Sequence, residues 1–232
     1  MTDLVGRVAL ITGASRGIGL AVSQALQSEG AHVVRLARGL EEHEGERYTD
    51  MKCDVTSPDE VARAIQQVLK RLGVPDIVVN NAGVFLMKPV AETEVTEFER
   101  QLNVNLRGPF LIIRSLLPHL IRKGSAHIVN IGSIADHVPY AGNAAYAASK
   151  YGLRGLHEVI RRELAGTDVR LTLVSPGPTD TDLWESLDAE AGGDVLDRSR
   201  MMRPEDVGRA VLFAVSQPLR VNVDLIRLGP TG

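Results

Sequence analysis

A tyrosine and a lysine four residues apart, Tyr146 and Lys150, are the pair in this sequence best suited to moving a proton. They lie in a run, Ala144 to Leu164, whose pattern predicts a helix, and side chains at this spacing share one helix face. A tyrosine pKa of about 10 is too high for acid–base work near neutrality, but a lysine ammonium within about 4–6 Å favours the phenolate. We therefore expect Lys150 to lower the pKa of Tyr146, so that the pair exchanges a proton with a carbonyl or alcohol oxygen. The alternative is a packed ring and a solvated amine.

A glycine-rich turn follows the short apolar run 7–12 and precedes a helical pattern that extends to Ser28. The turn reads Gly-Ala-Ser-Arg-Gly-Ile-Gly over residues 13–19, a spacing that differs from the general Gly-x-Gly-x-x-Gly fingerprint. Between a strand and a helix, glycines let the backbone approach a pyrophosphate, and the helix N-terminus offers free N–H groups to it. We predict a nucleotide site here; the alternative is a bare turn.

The end of the second predicted strand, His32 to Arg38, indicates which nucleotide binds. An acidic residue at this place would hold the ribose 2′-hydroxyl of NAD, whereas an arginine accommodates the 2′-phosphate of NADP. The strand ends in Ala37-Arg38, with no acid, and Arg16 in the glycine turn is a second cation. The sequence therefore predicts NADP(H), unless both arginines are merely solvated surface residues.

Apolar runs alternate with helical patterns to the end of the chain, and no linker interrupts them. The runs predict strands over residues 7–12, 32–38, 48–55, 75–79, 126–131, 169–174 and 223–228. We expect one domain, residues 1–232, with an α/β, Rossmann-type, doubly wound parallel sheet of about seven strands and helices on both faces. A helical pattern over 93–122 contains Asn103, Asn105, Gly108 and Pro109, which predict a kink or break.

Composition excludes several classes of protein. With 232 residues and a net charge of −3, the chain shows no sign of a nucleic-acid partner or an anionic membrane surface. Cys53 is the only cysteine, which fits a reducing compartment. The first residues lack a basic region, and no apolar run is long enough to span a membrane, so we expect a cytoplasmic protein.

The chain resembles the short-chain dehydrogenase/reductase family over essentially its whole length. The resemblance rests on the motifs Thr12–Gly19, Asp54-Val55, Asn80-Asn81-Ala82-Gly83, Asn103-Val104-Asn105, Ser133, Tyr146 with Lys150, and Pro176-Gly177. It implies a catalytic tetrad of Asn105, Ser133, Tyr146 and Lys150. It also implies cofactor contacts from Gly13, Ser15, Arg16, Gly17, Ile18, Gly19, Arg38, Asp54, Val55, Asn81, Ala82, Gly83, Tyr146, Lys150, Pro176, Gly177, Thr179 and Thr181. No metal site is predicted.

The resemblance also implies a role for each member of the tetrad in the reduction of a small carbonyl substrate or the oxidation of a secondary alcohol. Tyr146 would exchange the proton and Ser133 would orient the substrate oxygen. Lys150 would hold the ribose hydroxyls and lower the pKa of Tyr146, and Asn105 would hold a water that links Lys150 to solvent. A homodimer or homotetramer is implied, with its main interface on the helices near 93–122 and 144–164. Apolar residues on several sides of the first of these helices fit that interface, or a helix buried within one subunit.

The substrate pocket and its cover are predicted from the loops after the strands. We expect the pocket to be lined by Phe85, Leu86, His137, Val138, Tyr140, Leu183, Trp184 and Met201, with His137 as a wall or surface residue rather than an acid–base group. The acidic segment 178–202, which contains Gly192-Gly193, predicts a mobile lid. The C-terminal segment resembles that of members acting on small 3-hydroxy acids and related alcohols. Alternative functions are an idle NADP(H)-sensing or scaffold protein, a 3-oxoacyl thioester reductase, and a dehydratase or epimerase of nucleotide sugars.

Overall fold

The computed structural model describes residues 4–184 and 197–231. Its eight-stranded sheet consists of β1 (Val8–Thr12), β2 (His32–Ala37), β3 (His43–Gly45), β4 (Tyr48–Lys52), β5 (Ile77–Asn80), β6 (Ala126–Ile131), β7 (Val169–Pro176) and β8 (Leu225–Leu228). The helices are α1 (Gly17–Ser28), α2 (Pro58–Arg71), α3 (Val95–Leu102), α4 (Gly108–Lys123), α5 (Ala144–Glu163) and α6 (Pro204–Val215). The strand order is β3-β4-β2-β1-β5-β6-β7-β8, and every pairing except β3 with β4 is parallel. The predicted Rossmann-type fold is confirmed.

The edge strand β3 is the one strand that the sequence pattern did not predict. It pairs antiparallel with β4, and its residues His43, Glu44 and Gly45 are exposed or half-buried. Because β3 lies at the edge and buries little, its three residues lack the apolar run typical of the inner strands. β4 is also shorter than predicted and ends at Lys52, while Cys53 beyond it stays buried.

The sheet separates two hydrophobic layers, and alternate residues of the inner strands enter opposite layers. In β1, Leu10 packs into the layer covered by α2, α4 and α5, whereas Ala9 and Ile11 pack into the layer covered by α1 and α6. The same alternation places Val78 of β5 in the first layer and Val79 in the second. Coverage on both faces is the reason that these strands read as continuous apolar runs.

The predicted break in the long helical pattern is a π-helical turn, Asn103–Arg107, between α3 and α4. Asn105 in this turn is 1% exposed, and its side chain points to the loop after β5. A π-turn adds a residue to the helical repeat and often occurs at a functional site. Here it lets one polar side chain leave the helix toward the carboxyl ends of the strands.

Residues 185–196 of the predicted lid, 178–202, lie outside the described residues. On its flanks, Thr179 and Met202 form an isolated parallel bridge, and a short 3₁₀ turn covers Asp182–Trp184. Within the described part of the chain, no helix combines the length and the apolar character needed to cross a membrane.

Candidate active site

The carboxyl ends of the strands open into a cavity of about 750 Å³. Its walls come from the glycine turn after β1, the loops after β2, β4, β5, β6 and β7, and the start of α5. This is the edge at which open α/β sheets bind ligands. Seventeen of the eighteen predicted cofactor-binding residues line the cavity; the exception is Gly19, which lies behind the turn.

The glycine turn is shaped for an anion at the start of α1. Gly13 and Gly17 have φ angles of 65° and 54°, a region that favours glycine. A Cβ atom at Gly19 would lie 2.3 Å from the Gly13 carbonyl oxygen, so only glycine lets the turn close against the helix. The first turn of α1 carries no acidic side chain, and Arg16 provides no side-chain cap. Its N–H groups therefore remain suited to a pyrophosphate.

Asn81 supports this turn as well as lining the cavity. Its amide nitrogen donates to the carbonyl oxygens of Thr12 and Gly13 at 3.0 and 3.1 Å. The Thr12 hydroxyl accepts from the backbone N–H groups of Asn81 and Ala82, at 3.0 and 3.1 Å. Thr12 therefore supports the cavity wall, and the site prediction omitted it. The position of Thr12 next to the first glycine could have suggested that it belongs to the site. Its hydrogen bonds to the loop after β5 could not be predicted, because they depend on the pairing of β1 with β5.

The loop after β2 forms one end of the cavity. Ala37 is 8% exposed and Arg38 is exposed, and both line the wall. Arg16 also lines it, but its guanidinium pairs with Asp182 at 3.3 Å across the open mouth. The two predicted cations are thus brought to one cavity, and one of them has a competing partner.

Tyr146, Ser133 and Lys150 converge on the opposite part of the wall. Tyr146 and Lys150 are 8% and 4% exposed, and Tyr146 hydrogen-bonds with Ser133. The Lys150 ammonium lies 5.7 Å from the centre of the Tyr146 ring and donates to the Ile131 carbonyl oxygen at 2.9 Å. The spacing on α5 therefore produces the predicted pair, with Ser133 beside it.

The predicted lowering of the Tyr146 pKa is wrong for this structure. Burial raises the pKa of Tyr146 to about 12, and the hydrogen bond with Ser133 only partly opposes that rise. Burial also lowers the pKa of Lys150, to about 8, because the ammonium is removed from water. A sequence shows the spacing of the two groups but not their desolvation, which outweighs their mutual attraction here.

Asn105 anchors the loop after β5. Its side-chain oxygen accepts from the Val84 N–H at 2.8 Å, and its nitrogen donates to the Val84 carbonyl oxygen at 2.9 Å. The same nitrogen lies 3.0 Å from the Ser149 hydroxyl, which donates to the Tyr146 carbonyl oxygen at 2.7 Å. Asn105 does not line the cavity, so it acts on the site through the Val84 loop and α5. Its role in holding a water stays a prediction.

The substrate end of the cavity differs in part from the prediction. Phe85, Tyr140, Leu183 and Trp184 line it as expected, while Leu86, His137, Val138 and Met201 do not. Residues that the prediction missed take their places: Met87, Ile134 and Asn143. In a loop, the sequence does not show which of two neighbouring side chains faces a cavity. For this reason the prediction named Leu86, whereas its neighbour Met87 lines the wall. His137 instead faces Asp136 and Arg154.

The wall beside the tyrosine is aromatic. The Phe85 ring contacts Tyr146 edge to face, with centroids 4.7 Å apart, and lies 5.1 Å from the Trp184 ring. The Trp184 indole N–H donates to the Thr179 carbonyl oxygen at 2.8 Å, which fixes its apolar face toward the cavity. No cluster able to hold a metal ion occurs among residues 4–184 and 197–231.

The family model of the short chain dehydrogenases matches residues 7–192 of this sequence. The chain belongs to the short-chain dehydrogenase/reductase family. The glycine betaine reductase ATRR of Emericella nidulans is 37% identical over 98% of this chain, which corresponds to only 19% of that longer protein.

Two solved short-chain dehydrogenase/reductase structures are similar over nearly the whole chain. The closed form of a serine dehydrogenase complexed with NADP⁺ has a TM-score of 0.90 and 27% identity, covering 96% of this chain and 94% of that one. A metagenomic short-chain oxidoreductase in complex with NADP has a TM-score of 0.82 and 34% identity, covering 98% of each chain. Both similar proteins therefore bind NADP on the fold that this short-chain dehydrogenase/reductase adopts.

Proposed function

We propose that this short-chain dehydrogenase/reductase is an NADP(H)-dependent oxidoreductase that interconverts a small carbonyl compound and the corresponding secondary alcohol. The observation that carries the proposal is the convergence of Tyr146, Ser133 and Lys150 on one wall of a cavity that begins at the N-terminus of α1. An anion site and a proton donor in one cavity suit a nicotinamide cofactor and a carbonyl oxygen together.

NADP(H), when bound, supplies or accepts the hydride. The α1 N-terminus would hold its pyrophosphate, and Arg38 with Arg16 would face its 2′-phosphate. The wall formed by Asn81, Ala82 and Gly83 would lie along the cofactor, in line with their place on the cavity. The NADP bound by two similar structures supports this choice of cofactor.

In the reduction direction, Tyr146 gives its phenolic proton to the substrate oxygen. Tyr146 is protonated at neutral pH, the form that this step requires, but the raised pKa makes it a weak acid, so the phenolate that forms needs a nearby cation. Ser133 orients the same oxygen through its hydroxyl, which already hydrogen-bonds with Tyr146. Lys150 is the buried cation beside them, and as an ammonium it would hold ribose hydroxyls and stabilise the phenolate left after proton transfer. Alcohol oxidation uses the same groups in reverse.

The substrate has an apolar substituent next to its carbonyl group. Phe85 and Trp184 form an aromatic wall beside Tyr146, and Met87 and Ile134 extend it. Burial of apolar surface against such a wall stabilises the complex by about 25 cal/mol for each Å² removed from water. Ketones and aldehydes with alkyl or phenyl groups should therefore be better substrates than hydrophilic analogues of equal size.

The test is NADPH oxidation across a panel of ketones, aldehydes and 3-oxo acids, each measured as kcat/KM, with a 3-oxoacyl thioester included. The proposal expects turnover of at least one free carbonyl compound, with kcat/KM rising as the apolar group grows. The variant Trp184→Ala should flatten that rise, while Tyr151→Phe, on an exposed side of α5 outside the cavity, should leave it unchanged. NADPH binding without turnover of any carbonyl would favour a sensing or scaffold protein. Turnover of the thioester alone would make the chain an acyl thioester reductase.

A further inference from the structure

A carboxylate lies directly behind the proposed active site and has no part in the proton transfer just described. Asp136 follows Ser133 by three residues and is 0% exposed. Its Oδ2 atom accepts from the Ser133 backbone N–H at 3.1 Å and from the Ser175 hydroxyl at 2.7 Å. Acceptance from two donors suits the ionised form. A buried charge is costly, so its retention beside Ser133 suggests a use.

The residue before Ser133 must be small, because the Asp136 carboxylate lies against it. A Cβ atom at Gly132 would lie 2.3 Å from Oδ2, so the glycine before Ser133 makes room for Asp136. Oδ1 lies 3.1 Å from His137 Nε2, but the two atoms are not aligned as a hydrogen bond, and Oδ1 has no hydrogen-bond partner. Because one oxygen is incompletely paired, the negative charge is not fully neutralised by its contacts.

That charge acts on both members of the proton-transfer pair. The negative charge of Asp136 raises the pKa of Tyr146 in addition to the larger effect of burial, and it raises the pKa of Lys150 against the opposing effect of burial. Tyr146 is protonated near neutral pH even at the ordinary tyrosine pKa of about 10, so the charge of Asp136 does not change its protonation state there. The effect that matters for carbonyl reduction is the one on Lys150, whose pKa of about 8 lies close to neutral pH.

We propose that Asp136 is a positioning residue that orients Ser133 and whose negative charge keeps Lys150 in the ammonium form that carbonyl reduction requires. The proposal rests on the function proposed above. It adds a residue that touches neither substrate nor cofactor, since Asp136 does not line the cavity.

Other charged and titratable groups surround this carboxylate and enter the same equilibrium. His137 lies beside it, Arg154 donates to the Asp136 carbonyl oxygen at 3.2 Å and contacts the His137 ring, and Arg227 of β8 acts on His137. The charge of Asp136 also raises the pKa values of three residues of α5, which are Tyr146, Lys150 and His157. Burial lowers the pKa of His137, Arg154 and Arg227 act in the same direction, and Asp136 opposes them only in part, so this ring is neutral near pH 7 and does not cancel the charge of Asp136.

The decisive measurement is the titration of Lys150, followed by NMR of isotopically labelled lysine and assigned with Lys150→Gln. In Asp136→Asn, which keeps the shape and a hydrogen-bond acceptor, the Lys150 midpoint should move to lower pH. The reductive kcat/KM should fall at least about tenfold at pH 8, and its loss toward alkaline pH should begin earlier. Asp136→Ser, which also removes the charge, should shift the midpoint in the same direction.

The control is Asp76→Asn, which removes a half-buried carboxylate at the opposite end of the sheet, where Asp76 pairs with Arg7 and Lys123. It should leave the Lys150 midpoint unchanged. An unmoved midpoint in both Asp136 variants would overturn the proposal, even if activity fell, since the residue would then be only structural. If the wild-type protein reduces no carbonyl compound, the proposed function fails, and the lysine titration still decides the role of Asp136.

Discussion

The preference between NADPH and NADH gives a quantitative test of the wall after β2. The change is Ala37→Asp combined with Arg38→Leu, which places a carboxylate at a buried wall position and removes the exposed cation next to it. In the wild-type protein, a hydrogen bond from a charged donor to the 2′-phosphate contributes roughly 1.5–3 kcal/mol. Arg16 contributes less than that range, because it must first leave Asp182, 3.3 Å away.

Since the site is open to water, the low end of this range applies. We expect wild-type kcat/KM to favour NADPH by at least about tenfold, equivalent to about 1.4 kcal/mol. In the double variant the carboxylate repels the 2′-phosphate and accepts a hydrogen bond from the 2′-hydroxyl of NADH, so the preference should reverse.

The assay compares kcat/KM for both cofactors at saturating carbonyl substrate and at two salt concentrations. Added salt should narrow the wild-type preference, because exposed charges are screened. Arg47→Leu, an exposed arginine outside the cavity, is the matched control and should keep the wild-type ratio. Equal use of both cofactors by the wild-type protein, or a double variant that still prefers NADPH, would refute the assignment of Arg38 and Ala37.

Three further predictions concern the turn, a buried histidine and the assembly. Gly19→Ala should weaken NADPH binding at least about tenfold, because its Cβ would lie 2.3 Å from the Gly13 carbonyl oxygen; unchanged affinity in a fluorescence titration would contradict this. Burial lowers the pKa of His127 from 6.5 to about 3, so the unfolded state binds the extra proton and stability is lost as pH falls below 6.5. Urea unfolding at several pH values should show a loss of up to about 1.4 kcal/mol per pH unit from this residue, reduced in His127→Gln but retained in His43→Gln. Phe110 is 45% exposed on α4, and we propose that it lies in a homodimer or homotetramer interface. Light scattering should show an oligomer that Phe110→Glu dissociates. A wild-type species of only 25.1 kDa would exclude this interface.

The fold and most of the residues that line the cavity could be predicted because they depend on local patterns. Buried parallel strands read as apolar runs, and the residues that follow them meet at one edge of the sheet. The sequence alone therefore predicts that the glycine turn, Arg38 and the loop after β5 lie at the same edge of the sheet. The three-residue β3 was missed because an exposed edge strand leaves no such run.

The parts that failed depend on burial and on side-chain direction in loops. The pKa of Tyr146 was expected to fall, since its spacing from Lys150 is visible and its desolvation is not. Asp136 reads in the sequence as an ordinary polar loop residue, and only the fold brings it against Ser133 and Ser175. The break in the long helical pattern was predicted correctly, but the bonds of Asn105 to the Val84 loop follow from the π-turn that aims its side chain.

The proposed function depends above all on proton donation by Tyr146 in carbonyl reduction. Single-turnover reduction by Tyr146→Phe tests this role, with NADPH binding measured in parallel and Tyr151→Phe as the control from the same helix. General acid–base catalysis contributes about 10²–10⁴-fold, so the rate should fall at least about a hundredfold while NADPH affinity stays within about threefold of wild type. A single-turnover rate for Tyr146→Phe within about threefold of the wild-type rate would contradict the claim.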